Sequence, residues 1–124
     1  MEKDYTIEKV GWFTNRKTIP PLTEEEKKLE RERQTLFFEN YVRFLQANGF
    51  TTRTILYPED KANDDSEIRV SDLTNEGFDF FKYGIIRWRK KLDRAKDIDR
   101  AISDLKFIKK KLDEFNMSRN NKTI

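Results

Sequence analysis

Polar and apolar positions alternate along this chain with two different periods, and the changes of period divide it into elements. Thr23-Glu24-Glu25-Glu26 has the form of a capping box, with Thr23 and Glu26 placed to satisfy each other's backbone N–H and an acidic first turn that suits the helix dipole. Leu29, Leu36, Phe37, Tyr41, Phe44 and Leu45 then fall on one helical stripe, and Asn48-Gly49 supplies a left-handed stop. The spacing predicts one long helix over residues 24–48. Residues 51–57 are β-branched and aromatic and end at Pro58, while Glu67-Ile68-Arg69-Val70 alternates in the same way. These predict a β-hairpin with strands at 51–57 and 67–71. Its tip, residues 58–66, is polar and too long for a tight turn, so it is expected to be mobile.

Beyond the hairpin the helical period returns. Thr74 is placed as an N-cap, and Phe78, Phe81, Ile85, Trp88, Leu92 and Ala95 recur at three- and four-residue spacing, predicting a helix over 74–95. Gly84 interrupts it at a cost of up to about 1 kcal/mol relative to Ala, which close packing against a neighbouring helix would explain. Asp97 opens a further helix over 97–116 with Ile98, Ile102, Leu105, Ile108, Leu112 and Phe115 on one face. So short a link makes the last two helices an antiparallel pair. At the other end, Tyr5 to Val10 alternates like a short strand before Gly11, and Pro20-Pro21 extends the chain. The fold expected is α+β and mostly helical: an N-terminal arm at 1–22, one compact domain at 23–117 and a frayed tail at 118–124.

Composition narrows the chemistry. With 124 residues the chain has room for a single core. Only 35% of residues are hydrophobic against 40% charged, yet ten Phe, four Tyr and two Trp concentrate apolar area in a few large side chains. The absence of Cys excludes disulfides, thiolate metal sites and a cysteine nucleophile, and the absence of His removes the commonest general base and transition-metal ligand. No phosphate-loop, dinucleotide or nucleophile-elbow motif occurs. Set against the EF-hand pattern from Asp60, the third position is Ala62 and the glycine position is Asp65. No enzyme activity, cofactor or metal is therefore expected. The longest apolar runs are a few residues, and the N-terminus lacks the basic and apolar regions of a secretory signal, so a cytoplasmic location and no membrane association are expected.

Charge is divided along the chain. Residues 1–81 carry 12 Lys and Arg against 17 Asp and Glu, whereas residues 82–119 carry 13 against 6. Two candidate binding sets follow: an acidic one at the hairpin tip, Glu59, Asp60, Asp64 and Asp65, and a basic one on the C-terminal helices, Arg87, Arg89, Lys90, Lys91 and Arg94. The basic set surrounds Trp88, which the stripe assigns to the core rather than to stacking with bases. Trp12-Phe13 either pins the arm onto the core or, exposed, gives Trp12 the role of an anchor for a protein partner.

A strand, Ile68-Arg69-Val70, that runs into Leu73-Thr74-Asn75-Glu76-Gly77 and a helix resembles the wing and following helix of winged-helix regulators of the PadR and MarR type, over about residues 45–95. The resemblance implies DNA binding and a homodimer through the C-terminal helices. Two features depart from it. No helix breaker lies between Thr23 and Gly49, so a separate recognition helix is not evident, and the acidic tip would repel phosphates. The expectation is thus a non-catalytic module that binds a protein partner, such as an immunity or antitoxin-type inhibitor. A nucleic-acid-binding regulator with a degenerate winged helix is the alternative.

Overall fold

The structure is a computed structural model that describes residues 4–14 and 19–122. Its elements are β1 (Thr6–Lys9), α1 (Gly11–Thr14), α2 (Glu24–Ala47), β2 (Glu67–Arg69), a 3-10 turn (Val70–Asp72), α3 (Asn75–Arg94), α4 (Ile98–Ile102) and α5 (Leu105–Lys122). The mostly helical α+β architecture, the long first helix and the C-terminal helices are those expected from the sequence. Thr23 and Glu26 form the capping box in full: Thr23 Oγ1 accepts the Glu26 N–H at 3.1 Å, and Glu26 Oε1 accepts the Thr23 N–H at 3.0 Å. Among the described residues no helix is long and apolar enough to cross a membrane.

The two-stranded antiparallel sheet is built differently from the expected hairpin. β2 pairs with β1, in the register Glu8↔Ile68 and Lys9↔Glu67, and the pairing continues through Val10 N–H to Ser66 O and Gly11 N–H to Asp64 O. Residues 51–57 form no strand beyond a single bridge between Thr51 and Leu73. The cause is Gln46, near the end of α2. Its Oε1 accepts the N–H groups of Ile55 and Leu56 at 2.6 and 2.8 Å, and its Nε2 donates to Leu56 O at 3.0 Å. Those backbone groups are satisfied locally and do not need a ladder partner. The segment read as an arm supplies β1 instead, held by Asp4, whose carboxylate accepts from Ser71 N–H, Ser71 Oγ and Arg69 Nε at 2.8–3.0 Å.

Trp88 sits at the centre of the core. Its ring meets Phe37 edge-on at 4.9 Å and Tyr41 at 5.7 Å, and its Nε1–H donates to Ala101 O at 2.9 Å. α3 is buried on two sides, with Phe81 stacked on Tyr41 of α2 and Phe80 against Phe44, Phe50 and Phe115 of α5. The single stripe expected on α3 therefore omits Phe80, which is fully buried. Gly84 does mark close packing: a Cβ there would lie 3.1 Å from Ile108 Cδ1 and 3.2 Å from the Phe80 ring.

The helix expected at 97–116 is broken at Ser103-Asp104 into α4 and α5, and α5 continues to Lys122 rather than ending near 116. Asp104 caps the second piece by accepting the Phe107 N–H. The break leaves carbonyls at the end of α4 to accept side chains, Trp88 on Ala101 O and Asn40 on Ile102 O. It also turns Leu105, assigned to the core by spacing, half out to solvent at 49% exposure, while Ile102, Ile108, Leu112 and Phe115 are buried. On α2, Leu29 and Leu36 likewise lie outside the core, which takes Phe38 and Val42 in their place.

Candidate functional site

The acidic loop between α2 and β2 was expected to be mobile, but four residues on one face of α2 fasten it. Arg43 donates to Tyr57 O at 3.1 Å and Asp60 O at 2.7 Å, Glu39 Oε2 accepts the Ala62 N–H at 2.7 Å, and Arg31 lies 3.5 Å from Asp64. With Gln46 these residues repeat at helical spacing, so they share a face. The loop also holds itself: Asp60 accepts the Tyr57 N–H, and Ser66 Oγ accepts the Asn63 N–H. Leu56 and Ala62 are buried beneath it. This changes the roles of the acidic candidates. Asp60 is half-buried and holds the loop, Asp64 pairs with Arg31, and Glu59 and Asp65 remain exposed.

Between this loop and α2 runs an open groove of about 750 Å³. Leu36, 40% exposed, and Ala62 give it an apolar floor, and Glu32, Asp64 and Asp65 line its walls against Arg31 and Lys61. Glu32 was not singled out by sequence, and Leu36 was assigned to the core stripe rather than to a site. The signal was present in Leu36, an apolar residue on a helix whose core face passes one residue later at Phe37. Trp12 is 51% exposed in α1, next to Gly11, whose N–H bonds to Asp64 O. About half of the Trp12 side chain is thus open to a partner, and its backbone neighbours the acidic loop. The side chain of Phe13 lies outside the described residues.

The basic candidates are brought together only in part. Arg89 turns inward, where its Nη2 donates to Glu8 Oε2 at 3.0 Å and its guanidinium covers the Phe37 ring. Arg87 lies 3.6 Å over the Tyr83 ring and donates to Tyr83 O. Lys91 pairs with Asp104 at 3.0 Å and lies over Phe107. Only Lys90 and Arg94 are fully on the surface. On α3 and α5 four aromatic residues carry a cation four positions later, Phe78/Lys82, Tyr83/Arg87, Phe107/Lys111 and Phe115/Arg119, and in each the cation lies over the ring. Much of the C-terminal basic excess thus covers aromatic surface, a pattern the sequence contained as an i, i+4 repeat.

Among the described residues two carboxylates are buried: Asp72, which accepts from Arg53 Nε at 2.7 Å and from the Arg69 N–H at 2.9 Å, and Glu8. Glu8 is buried, and burial pushes its carboxyl above the usual carboxylate range despite the pull of Arg89. Burial, reinforced by Glu8, also raises the Tyr41 phenol, which donates to Phe81 O at 2.9 Å. The cavity beside Glu8 and Tyr41 is about 10 Å³, room for no more than a single water, whereas Arg89 also borders an open groove of about 350 Å³ with Arg33 and Asp93. Among the described residues no group of acidic side chains is arranged to hold a metal ion. Comparisons of the chain with models of protein families, with curated proteins and with solved structures gave no match.

Proposed function

We propose that this chain is a non-catalytic protein-binding module whose groove between α2 and the acidic loop receives a basic surface of another protein, as an immunity or antitoxin-type inhibitor does. The observation that carries the reading is the fastening of the loop by Arg31, Glu39, Arg43 and Gln46. A loop already ordered in the free protein loses little conformational freedom on binding, which favours affinity. Exposed Leu36 and Trp12 supply apolar contacts of the kind that anchor interfaces, and Glu32, Glu59 and Asp65 supply charges that steer a basic partner and set register. The lack of His and Cys supports a role without catalysis.

The test is co-expression and co-purification with the product of the neighbouring gene, followed by titration of the recovered complex. A stoichiometric complex is expected, weakened roughly tenfold or more, about 1.4 kcal/mol, by Glu32→Lys with Asp65→Lys. A complex indifferent to that double change would place the interface elsewhere. Recovery of no stoichiometric protein partner would remove the reading.

A further inference from the structure

Where α3 turns into α4 the surface forms a second groove, of about 550 Å³, with Lys91, Arg94, Lys96 and Arg100 and the carboxylates Asp97 and Asp104 in its walls. Both acids are already engaged. Asp104 lies 3.0 Å from Lys91 and accepts the Phe107 N–H, and Asp97 accepts the Arg100 N–H at 3.1 Å as the N-cap of α4. Asp99, next to Arg100 in sequence, makes a two-point contact with Arg33 instead. Arg94, Lys96 and Arg100 are left exposed, with no ion pair among the described residues, and Lys90 is exposed one helical turn before Arg94.

We propose that this corner binds the phosphodiester backbone of a nucleic acid. Two guanidinium groups and an ammonium around one concavity match the oxygens of successive phosphates, and Arg engages phosphate in two-point fashion. The apolar side chains in the walls are only Ala95 and Ala101, so the groove lacks the large desolvated anchor that a protein interface uses. It likewise lacks the exposed apolar face by which a helix enters a lipid surface. Phosphate contacts need neither, because released counterions supply the affinity. The site is independent of the acidic groove, and it keeps only part of the basic set that the sequence singles out: Arg94 lines it free of an ion pair and Lys91 lines it paired with Asp104, while Arg87 and Arg89 are held elsewhere and Lys96 and Arg100 join.

The experiment is fluorescence anisotropy of a labelled single-stranded oligonucleotide of about 20 nucleotides at low and near-physiological salt. The triple variant Arg94→Gln, Lys96→Gln, Arg100→Gln, at three exposed positions, is expected to bind roughly tenfold or more weakly, with the slope of log K against log salt shallower by about 2. Arg94→Gln alone is expected to lose roughly threefold, which keeps the test open if the triple variant folds poorly. The control Lys106→Gln, Lys109→Gln, Lys110→Gln removes the same charge from α5 and is expected to change affinity less than about threefold. Equal losses in both triple variants would reduce the binding to net charge and overturn the proposal. So would no binding at low salt, or displacement of the oligonucleotide by polyglutamate or anionic vesicles at matched charge.

Discussion

Glu8 of β1 and Arg89 of α3 meet at 3.0 Å in the interior, 81 residues apart in sequence, and their ion pair fastens the first strand to the central helix. Removing Arg89 leaves a buried carboxylate without its cation, so Arg89→Met is expected to cost about 3–5 kcal/mol at neutral pH. Glu8→Gln leaves a neutral group and is expected to cost less. Urea unfolding of both variants gives the comparison, and a smaller loss for Arg89→Met than for Glu8→Gln would refute it.

Acid affects the two carboxylates that hold β1 in opposite directions. The Glu8 carboxyl is raised above its ordinary 4.5, so the folded state binds this proton more tightly than the unfolded state. Its contribution favours folding below that ordinary value and is lost as pH rises through the folded-state value. Asp4 is lowered from 3.8 to about 2, first by the Ser71 backbone N–H and then by Arg69. Its contribution is present above 3.8 and is lost as pH falls towards about 2. Relative to the native chain, Asp4→Asn should therefore flatten the acid limb of the stability curve, whereas Glu8→Gln should steepen the fall on mild acidification. Urea midpoints across pH 2–7 measure both, and unchanged curves would contradict the assignments.

Gln46 replaces a β-ladder for residues 55–56, so Gln46→Ala strands two amides and a carbonyl. A loss of about 2–3 kcal/mol is expected, together with faster hydrogen exchange at Ile55 and Leu56. Exchange at those amides unaffected by the change would show that the loop is held by other contacts.

Ile108 and Leu105 stand one turn apart on α5 and have opposite environments, fully buried and 49% exposed. Ile108→Ala is expected to cost about 2–5 kcal/mol and Leu105→Ala less than about 1. Equal losses in thermal or urea unfolding would mean that the face of α5 is misassigned.

At Gly77 an added Cβ would collide with the carbonyl oxygen of Phe50 and lie 2.8 Å from its Cβ, and a backbone carbonyl cannot swing aside as a flexible side chain does. Gly77→Ala is expected to cost about 3 kcal/mol, at the top of the range for overpacking. Gly49 differs: it has open space around it but a φ of 73°, so its substitution acts through backbone strain. A Gly77→Ala protein as stable as the native chain would show that Phe50 can move away.

The local signals in the sequence sufficed for two of the helices and the start of a third. Thr23 and Glu26, Thr74, Asp97 and Gly49 act over a few residues, so α2, α3 and the start of α4 are legible without knowing what they touch, and periodicity places Trp88, Ile102 and Ile108 inside. The division of charge is legible in the same way. Pairing across long separations is not. Residues 51–57 have the composition of a strand, but a side chain of α2 reaches their backbone first, and β2 finds its partner more than 50 residues away in β1. Nor can spacing show that α3 is covered on two sides, which buries Phe80, or that Asp104 restarts the last helix, which exposes Leu105. The candidate sites follow the same rule. Sequence determined that this protein has an acidic loop and a basic C-terminal half; only the tertiary structure decided that α2 fixes the loop in place, that Arg87, Arg89 and Lys91 are held by internal partners, and that Arg94, Lys96 and Arg100 converge. A charge's availability depends on what its side chain reaches in three dimensions, and that is set by contacts between segments distant in the chain.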